Sequence, residues 1–174
     1  PIEGSTILVL GLGGIGQQVA KRAKALGMTV LGMKRRVEPV ENVDEVHPLD
    51  DLRSIVGRAD HIVVTLPGTP TTTGLLNADI FKAAKPGVTV VNVGRGTVID
   101  EAALVDALRA GQVGFAALDV FEKEPLDASS PLWDMENVLV SPHSGGLDTL
   151  PTSSSAFVNF GAPRAVSATF IMAF

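Results

Sequence analysis

The sequence predicts an α/β fold built on a doubly wound, mostly parallel sheet with helices on both faces. Two observations predict it. Short runs rich in Val, Leu and Ile recur along the chain, and segments with helical start and stop signals separate them. Hydrophobic residues make up 45% of the chain and glycine occurs 18 times, which is typical of a buried sheet with many turns. Strands that alternate with helices pair in parallel through right-handed crossovers.

Six apolar runs are the predicted strands, and four segments between them are the predicted helices. The strands span residues 6–10, 29–33, 61–66, 88–93, 113–118 and 138–140. The helices span residues 15–26, 52–59, 77–84 and 101–110. Gly27, Pro86 and Gly111 supply helix stop signals, because glycine favours the turn that ends a helix and proline cannot continue one. Asp100 is a predicted N-cap, since its carboxylate can accept amide hydrogens of the first turn.

Length and composition limit what kind of protein this is. A chain of 174 residues suits one domain. Its net charge of -5 provides no global basic field for nucleic acid or anionic lipid, so a small-molecule partner fits better. The lack of cysteine excludes disulfides, thiolate metal ligands and a cysteine nucleophile, and no metal site is expected. The chain opens at Pro1 and shows neither a signal-peptide pattern nor a long apolar span, so we expect a trimmed piece of a cytoplasmic protein.

Glycine, proline and polar residues follow the ends of the predicted strands. Because the carboxyl ends of parallel strands meet at one edge of a sheet, we expect these residues to line one rim, where doubly wound sheets bind ligands. In strand order they are Gly11; Lys34, Arg35 and Arg36; Pro67 and Gly68; Gly94 and Arg95; Asp119; and Ser141, Pro142 and His143.

Gly11, Gly13 and Gly16 form a GxGxxG motif between a predicted strand and a predicted helix. The spacing lets the chain turn tightly at Gly11, bring bare backbone to a pyrophosphate at Gly13, and pack helix against strand at Gly16. The motif predicts a dinucleotide site in a Rossmann-type domain. A glycine-rich turn that serves packing alone would have the same sequence motif. The other residues of the rim must therefore distinguish a dinucleotide site from such a turn.

Three basic residues stand at the end of the second predicted strand. An NAD site would place Asp or Glu there, on the ribose hydroxyls. Lys34, Arg35 and Arg36 instead offer cations that can pair with a 2′-phosphate through charge-assisted bonds. This favours NADP as cofactor, with NAD as the alternative. A basic turn that is merely solvated is the competing interpretation.

Four segments together resemble one family of enzymes. They are residues 10–16, 91–96 (VNVGRG), 117–125 (ALDVFEKEP) and 141–146 (SPHSGG). In this order they closely resemble the D-2-hydroxyacid dehydrogenases, a group that includes glyoxylate and hydroxypyruvate reductases, phosphoglycerate dehydrogenase and D-lactate dehydrogenase. The resemblance covers about residues 5–147. It implies a dinucleotide-binding domain at 1–147, with most of the substrate domain absent. Residues 148–174 are expected to be an atypical tail of uncertain structure, because their sequence lacks the amphipathic pattern of the family's long helix.

The resemblance places the family's catalytic arginine, glutamate and histidine on Arg95, Glu124 and His143. Reduction of a 2-keto acid needs a proton donor, because negative charge grows on the carbonyl oxygen as hydride arrives at carbon. His143 is expected to be that acid, and Glu124 to hold the imidazolium charged and aligned. Arg95 is expected to bind the substrate carboxylate with its planar fork. Each residue taken alone has a plain structural alternative, namely a packed histidine, an acidic surface loop and a surface arginine.

The resemblance also implies the residues that bind the cofactor. Asp119 matches the position that binds the nicotinamide carboxamide, although it could instead cap a turn, and Thr72 matches one that faces the pyrophosphate. His47 and His61 are expected to be structural or surface residues. The full set is Gly11, Gly13, Gly14, Ile15, Gly16, Lys34, Arg35, Arg36, Thr65, Leu66, Pro67, Thr72, Val93, Gly94, Arg95, Asp119, His143 and Gly145.

Several functions stay open at this point. Formate dehydrogenases carry an amide where this chain has Glu124, so hydroxyacid chemistry is favoured, whereas phosphite dehydrogenases keep the same trio. C-terminal-binding-protein corepressors resemble the family but serve mainly as scaffolds, so a dinucleotide sensor without significant turnover is the main alternative. A purely structural role is the third. We expect this piece alone to bind dinucleotide and to be weak or inactive as an enzyme, and a homodimer is a further expectation of the resemblance.

Overall fold

The computed structural model describes residues 2–143, and in that range seven strands form one sheet. The strands are β1 (Thr6–Leu10), β2 (Thr29–Met33), β3 (Glu45–His47), β4 (His61–Val64), β5 (Val88–Asn92), β6 (Val113–Leu118) and β7 (Val138–Val140). Their order is β3-β2-β1-β4-β5-β6-β7, and every neighbouring pair is parallel. The predicted doubly wound fold is confirmed, and its described sheet is parallel throughout. The predicted tail at 148–174 lies outside the described residues.

In the described part of the chain, four α-helices lie between the strands. They are α1 (Gly14–Ala25), α2 (Leu52–Ile55), α3 (Ala78–Ala83) and α4 (Glu101–Arg109). Asp100 caps α4 as predicted, because its carboxylate accepts the amide hydrogen of Ala103 at 3.0 Å. The chain runs outward from β1 to β3, then crosses back to place β4 on the other side of β1. The strand order reverses between β1 and β4, and doubly wound sheets bind ligands beyond the carboxyl ends of the strands at such a point.

Two details of the predicted elements were wrong. β3 was missed because its three residues include Glu45 and His47 and are all only half-buried, so no apolar run marks them. The predicted helix at 52–59 is one α-turn, α2, between 3-10 turns at Leu49–Asp51 and Val56–Arg58. Gly57 lies in that stretch, and glycine weakens a helix interior.

The two faces of the sheet carry two separate hydrophobic layers. Leu8 and Leu10 of β1 are fully buried in one layer, whereas Ile7 and Val9 are buried in the other. This alternation follows from the two-residue repeat of a strand. Both faces are therefore covered, and ligands reach the sheet at its ends. Within residues 2–143, no helix is long and apolar enough to cross a lipid bilayer.

Candidate dinucleotide and catalytic site

The glycine loop after β1 has the geometry that the GxGxxG spacing predicts. Gly11 has φ of 99°, a conformation that glycine adopts readily. A Cβ at Gly16 would lie 1.9 Å from the carbonyl oxygen of Gly11, so α1 packs directly against the turn. Gly13 and Gly14 are exposed, and a Cβ on either would meet no protein atom within 4 Å. The exposed backbone at the start of α1 therefore fits the pyrophosphate of a dinucleotide.

Thr65, which follows the neighbouring strand β4, supports the glycine loop through its hydroxyl. Its hydroxyl donates to the carbonyl oxygens of Gly11 at 2.8 Å and Leu10 at 3.2 Å. Thr72 is 4% exposed, and its hydroxyl donates to the carbonyl oxygen of Pro67 at 2.7 Å. The Thr65 hydroxyl thus supports the glycine loop, whereas the Thr72 hydroxyl supports the loop that follows β4. The role of both residues toward a cofactor stays a prediction.

The basic turn after β2 projects into solvent. Arg35 and Arg36 are exposed, while Lys34 is half-buried and its backbone amide donates to the carbonyl oxygen of His47 at 3.1 Å. This bond fixes the start of the turn against the edge strand β3. The three cations therefore stand at the carboxyl end of β2, next to the glycine loop at the end of β1.

Asn92, which is not among the predicted site residues, holds the loop that carries Arg95. It is 1% exposed, and its side chain accepts from the amide of Gly94 and donates to the carbonyl oxygen of Arg95, both at 3.1 Å. A buried polar residue at the end of an apolar strand was the available signal, because such a group needs partners. The exposed guanidinium of Arg95 donates to the carbonyl oxygen of Gly94 at 2.8 Å.

Asp119 is a buried carboxylate, 5% exposed, between the ends of β6 and β7. One oxygen accepts from the hydroxyl of Ser141 at 2.7 Å, and the Asp119 amide donates to the carbonyl oxygen of Asn92. The pair links the neighbouring strands β6 and β7 at the rim. That Asp119 binds the nicotinamide carboxamide stays a prediction.

Glu124 and His143 meet at the rim. Nδ1 of His143 donates to Oε2 of Glu124 at 2.7 Å, and Oε1 of Glu124 accepts from the amide of Phe121 at 3.1 Å. The hydrogen bond from His143 lowers the pKa of Glu124 below its ordinary value of 4.5, and the Phe121 amide adds to the shift, against an opposing contribution from partial burial. Both side chains stay partly exposed, at 37% and 46%. The carboxylate is therefore ionised at neutral pH and fixes the orientation of the imidazole.

A second contact joins the loop of Glu124 to the loop of Arg95. Glu101, at the start of α4, accepts from the amide of Glu122 at 3.0 Å, and Glu122 accepts from the amide of Glu101 at 2.9 Å. Burial, followed by the charge of Glu122, raises the pKa of Glu101. A Cβ at Gly96 would lie 1.8 Å from the carbonyl of Phe121, so the two loops touch backbone to backbone. The loops that carry the predicted catalytic residues are thus held as one unit.

The Glu124–His143 bond predicts a pH-dependent contribution to stability. A carboxyl whose pKa is lower in the folded than in the unfolded chain stabilises the fold above its unfolded pKa, and the contribution disappears as the pH falls through the folded value. We expect Glu124→Gln to be less stable than wild type at neutral pH, and the difference to shrink as the pH falls below the ordinary pKa of 4.5 and to vanish only below the lower pKa of the folded state. Urea unfolding of both proteins from about pH 7 to about pH 3 measures it. A difference that grows toward acid would contradict the assignment.

Gly145 lies outside the described residues, as does the rest of the motif beyond His143. Within the described range the predicted rim residues do follow the carboxyl ends of parallel strands. In the same part of the chain, no three His, Cys, Asp or Glu side chains are grouped so that they could hold a metal ion.

Together, the parallel sheet, the glycine loop packed on α1 and the open rim define a dinucleotide-binding domain of the Rossmann type. The chain belongs to the D-isomer specific 2-hydroxyacid dehydrogenase family, because the model of that family's NAD binding domain matches residues 1–145. The resemblance stated from the motifs is thereby confirmed. The chain is an NAD(P)-binding domain of an oxidoreductase family.

Known relatives agree in sequence and in structure. A D-3-phosphoglycerate dehydrogenase from Mycobacterium bovis is 46% identical over 147 residues, which cover 83% of this chain and 27% of the relative. A D-isomer specific 2-hydroxyacid dehydrogenase from Xanthobacter autotrophicus Py2, solved with NADPH and MES, is 43% identical with a TM-score of 0.77, covering 80% of this chain and 44% of the other. An NADPH-dependent glyoxylate/hydroxypyruvate reductase from Sinorhizobium meliloti, solved with NADP and sulfate, is 38% identical with a TM-score of 0.75, covering 80% and 45%. The chain spans less than half the length of each of these relatives.

Proposed function

We propose that this chain is the cofactor domain of an NADP-dependent enzyme that interconverts 2-keto and 2-hydroxy acids, with His143 as the acid-base group. The observation that carries the proposal is the 2.7 Å bond between Nδ1 of His143 and the carboxylate of Glu124. An imidazole held in this way has one defined donor nitrogen and an ionic partner for its charged form. A histidine that served packing alone would not need an exposed carboxylate partner at the rim of a dinucleotide domain.

In the proposed reaction the substrate receives a hydride from the cofactor and a proton from His143. A bound nicotinamide supplies the hydride that converts the carbonyl carbon of the keto acid into the carbinol carbon. His143 donates its Nε2 proton to the former carbonyl oxygen, because Nδ1 already serves Glu124, and becomes neutral. In the reverse direction neutral His143 takes the hydroxyl proton as hydride leaves carbon. Glu124 keeps its charge in both directions and stabilises the imidazolium.

Arg95 is the proposed anchor for the substrate carboxylate. Its guanidinium is exposed and bonds only to its own loop among the residues described, through the carbonyl oxygen of Gly94. A planar fork can bind a carboxylate through two parallel bonds, and the same charge polarises a nearby carbonyl. Asn92 fixes the backbone on both sides of Gly94, so the fork starts from a rigid base.

The preference for NADP rests on the basic turn and on the absence of an acidic residue at 34–36. We expect NADPH to bind about tenfold or more tightly than NADH, since one charge-assisted bond to the 2′-phosphate is worth about 1.5–3 kcal/mol. Arg35→Ala should weaken NADPH binding by about tenfold and leave NADH unchanged, because only the phosphate meets this side chain. Fluorescence titration of wild type and variant with both nucleotides measures it. Equal loss for the two nucleotides would contradict the assignment.

A measurement of catalytic turnover distinguishes the proposed dehydrogenase from a dinucleotide sensor without significant activity. NADPH oxidation with glyoxylate and with hydroxypyruvate tests the proposed reaction class, because these are small 2-keto acids. We propose that this chain alone binds NADPH but oxidises it slowly, because the wall that closes a hydroxyacid dehydrogenase site against water belongs to the substrate domain. An enzyme in which the domain is joined to a substrate domain should turn over. Binding without turnover in that joined form would favour the corepressor-like sensor instead.

A further inference from the structure

Glu38 lies against the same cations that are proposed to bind the 2′-phosphate of NADP. Its Oε1 accepts from Nζ of Lys34 at 2.8 Å, and its Oε2 lies 3.6 Å from Nε of Arg36. Each carboxylate oxygen therefore meets a different cation of the basic turn. Arg35, between them, has no ion pair within the described part of the chain. One carboxylate thus bridges two of the three groups that a phosphate would use.

The position of Glu38 follows from the local chain. Pro39 comes next, and a residue before proline is restricted to extended backbone. Val40 then packs partly buried against the hydrophobic layer that contains β1 residues, which anchors the segment beyond the proline. Lys34 is also the least exposed of the paired side chains, at 24% against 45% for Glu38 and 87% for Arg36. The contact between Glu38 and Lys34 is therefore the more firmly placed of the two.

We propose that Glu38 is a selectivity residue that occupies the 2′-phosphate position and must be displaced when NADP binds. The inference rests on the proposed cofactor preference. A phosphate monoester carries more charge than a carboxylate and offers three strong acceptor oxygens, so it can replace Glu38 on Lys34 and Arg36 and also engage Arg35. NADH has hydroxyls there and leaves the ion pairs intact. Glu38 therefore weakens the binding of NADPH but not of NADH. It thereby reduces the preference for NADPH over NADH that Lys34, Arg35 and Arg36 create.

The test compares Glu38→Gln with wild type in calorimetric titrations with NADPH and with NADH. Exposed ion pairs are weak, so we expect NADPH to bind about two- to fivefold more tightly to the variant and NADH to bind equally to both proteins. Glu41→Gln is the matched control. It removes the same charge three residues along from an exposed side chain that has no ion pair within residues 2–143, and it should leave both affinities unchanged.

The outcomes separate this inference from the proposed function. Unchanged or weaker NADPH binding by Glu38→Gln overturns the inference. Equal gains for NADPH and NADH, or the same gain in Glu41→Gln, also overturn it, because they reveal a general charge effect. The proposed cofactor preference fails on a different result, namely an unchanged NADPH affinity in Arg35→Ala. A gain confined to NADPH and to Glu38→Gln supports the displaced carboxylate.

Discussion

Replacing Gly16 with alanine is expected to lower the free energy of unfolding by about 3 kcal/mol, at the upper end of the usual cost of overpacking. The new Cβ would lie 1.9 Å from the carbonyl oxygen of Gly11 and 3.0 Å from the hydroxyl of Thr65. The nearer of these atoms is backbone, which cannot rotate away as a side chain can. Helix α1 must therefore shift from the glycine loop. The midpoint of thermal unfolding should fall by roughly 6–12 °C in a domain of this size.

Calorimetry of Gly16→Ala measures the loss of stability, and titration with NADPH measures the loss of the site. We expect binding to fall by at least about tenfold, because the loop can no longer present its backbone at the start of α1. An unchanged midpoint of thermal unfolding would contradict the close contact between α1 and the glycine loop.

Gly13→Ala is the matched control that separates folding from binding. Gly13 has φ of -75°, which alanine adopts without strain, and a Cβ there meets no protein atom within 4 Å. The thermal midpoint should therefore stay close to that of wild type. The added methyl group projects from backbone that is proposed to approach the pyrophosphate, so NADPH binding should still weaken. Full binding by Gly13→Ala would move the proposed phosphate site away from this residue.

Most strands could be predicted from the sequence because they consist of apolar residues. β1, β2, β6 and β7 begin and end where the apolar runs do. β1, β2 and β6 are buried at most positions, and a strand that is covered on both faces must be apolar at successive positions. β3 lies at the sheet edge, and its register is set by pairing of Leu31 with Glu45 on the neighbouring strand rather than by its own composition. The residues of β3 do not by themselves predict a strand, because its position depends on pairing with β2.

The sequence predicts which residues lie at the strand ends of the site, but it does not predict the hydrogen bonds within the loops. Glu124 and His143 are 19 residues apart and meet because β6 and β7 are neighbours, so topology and motif together could predict the pair. The bonds of Asn92 to its own loop and of Glu38 to the basic turn depend on backbone paths that no spacing specifies. Polar residues at these positions were visible, but their partners were not.

The order of the strands also brings the three segments that carry the proposed catalytic residues to neighbouring positions on one rim. β5, β6 and β7 are consecutive neighbours, and Arg95, Glu124 and His143 follow them in that order. Contacts between adjacent loops then restrict the motion that loops usually have. Gly96 packs against the backbone of Phe121, and the carboxylates of Glu101 and Glu122 each accept a hydrogen bond from the other residue's backbone amide. Rigid support of this kind is what acid-base and anchoring groups need, because their geometry must be in place before substrate arrives.

His143→Ala is expected to lower kcat by about 10²- to 10⁴-fold in an enzyme that joins this domain to a substrate domain, because the proton donor is lost while hydride transfer still needs one. NADPH oxidation with glyoxylate at saturating substrate measures it. His61→Gln is the matched control: His61 begins β4, at the opposite end of the strand from the rim, so its loss should leave kcat unchanged.

Glu124→Gln should give a smaller loss of kcat than His143→Ala, because the amide oxygen can still accept from Nδ1 but carries no charge to balance the imidazolium. The loss of kcat in His143→Ala therefore measures proton transfer, and the loss in Glu124→Gln measures the stabilisation of the imidazolium by the carboxylate charge. If His143 acts as the acid, the double variant should be no slower than His143→Ala alone, since Glu124 works only through the imidazole. Additive losses would mean that Glu124 touches the substrate itself, and an unchanged rate in His143→Ala would remove this histidine from the mechanism.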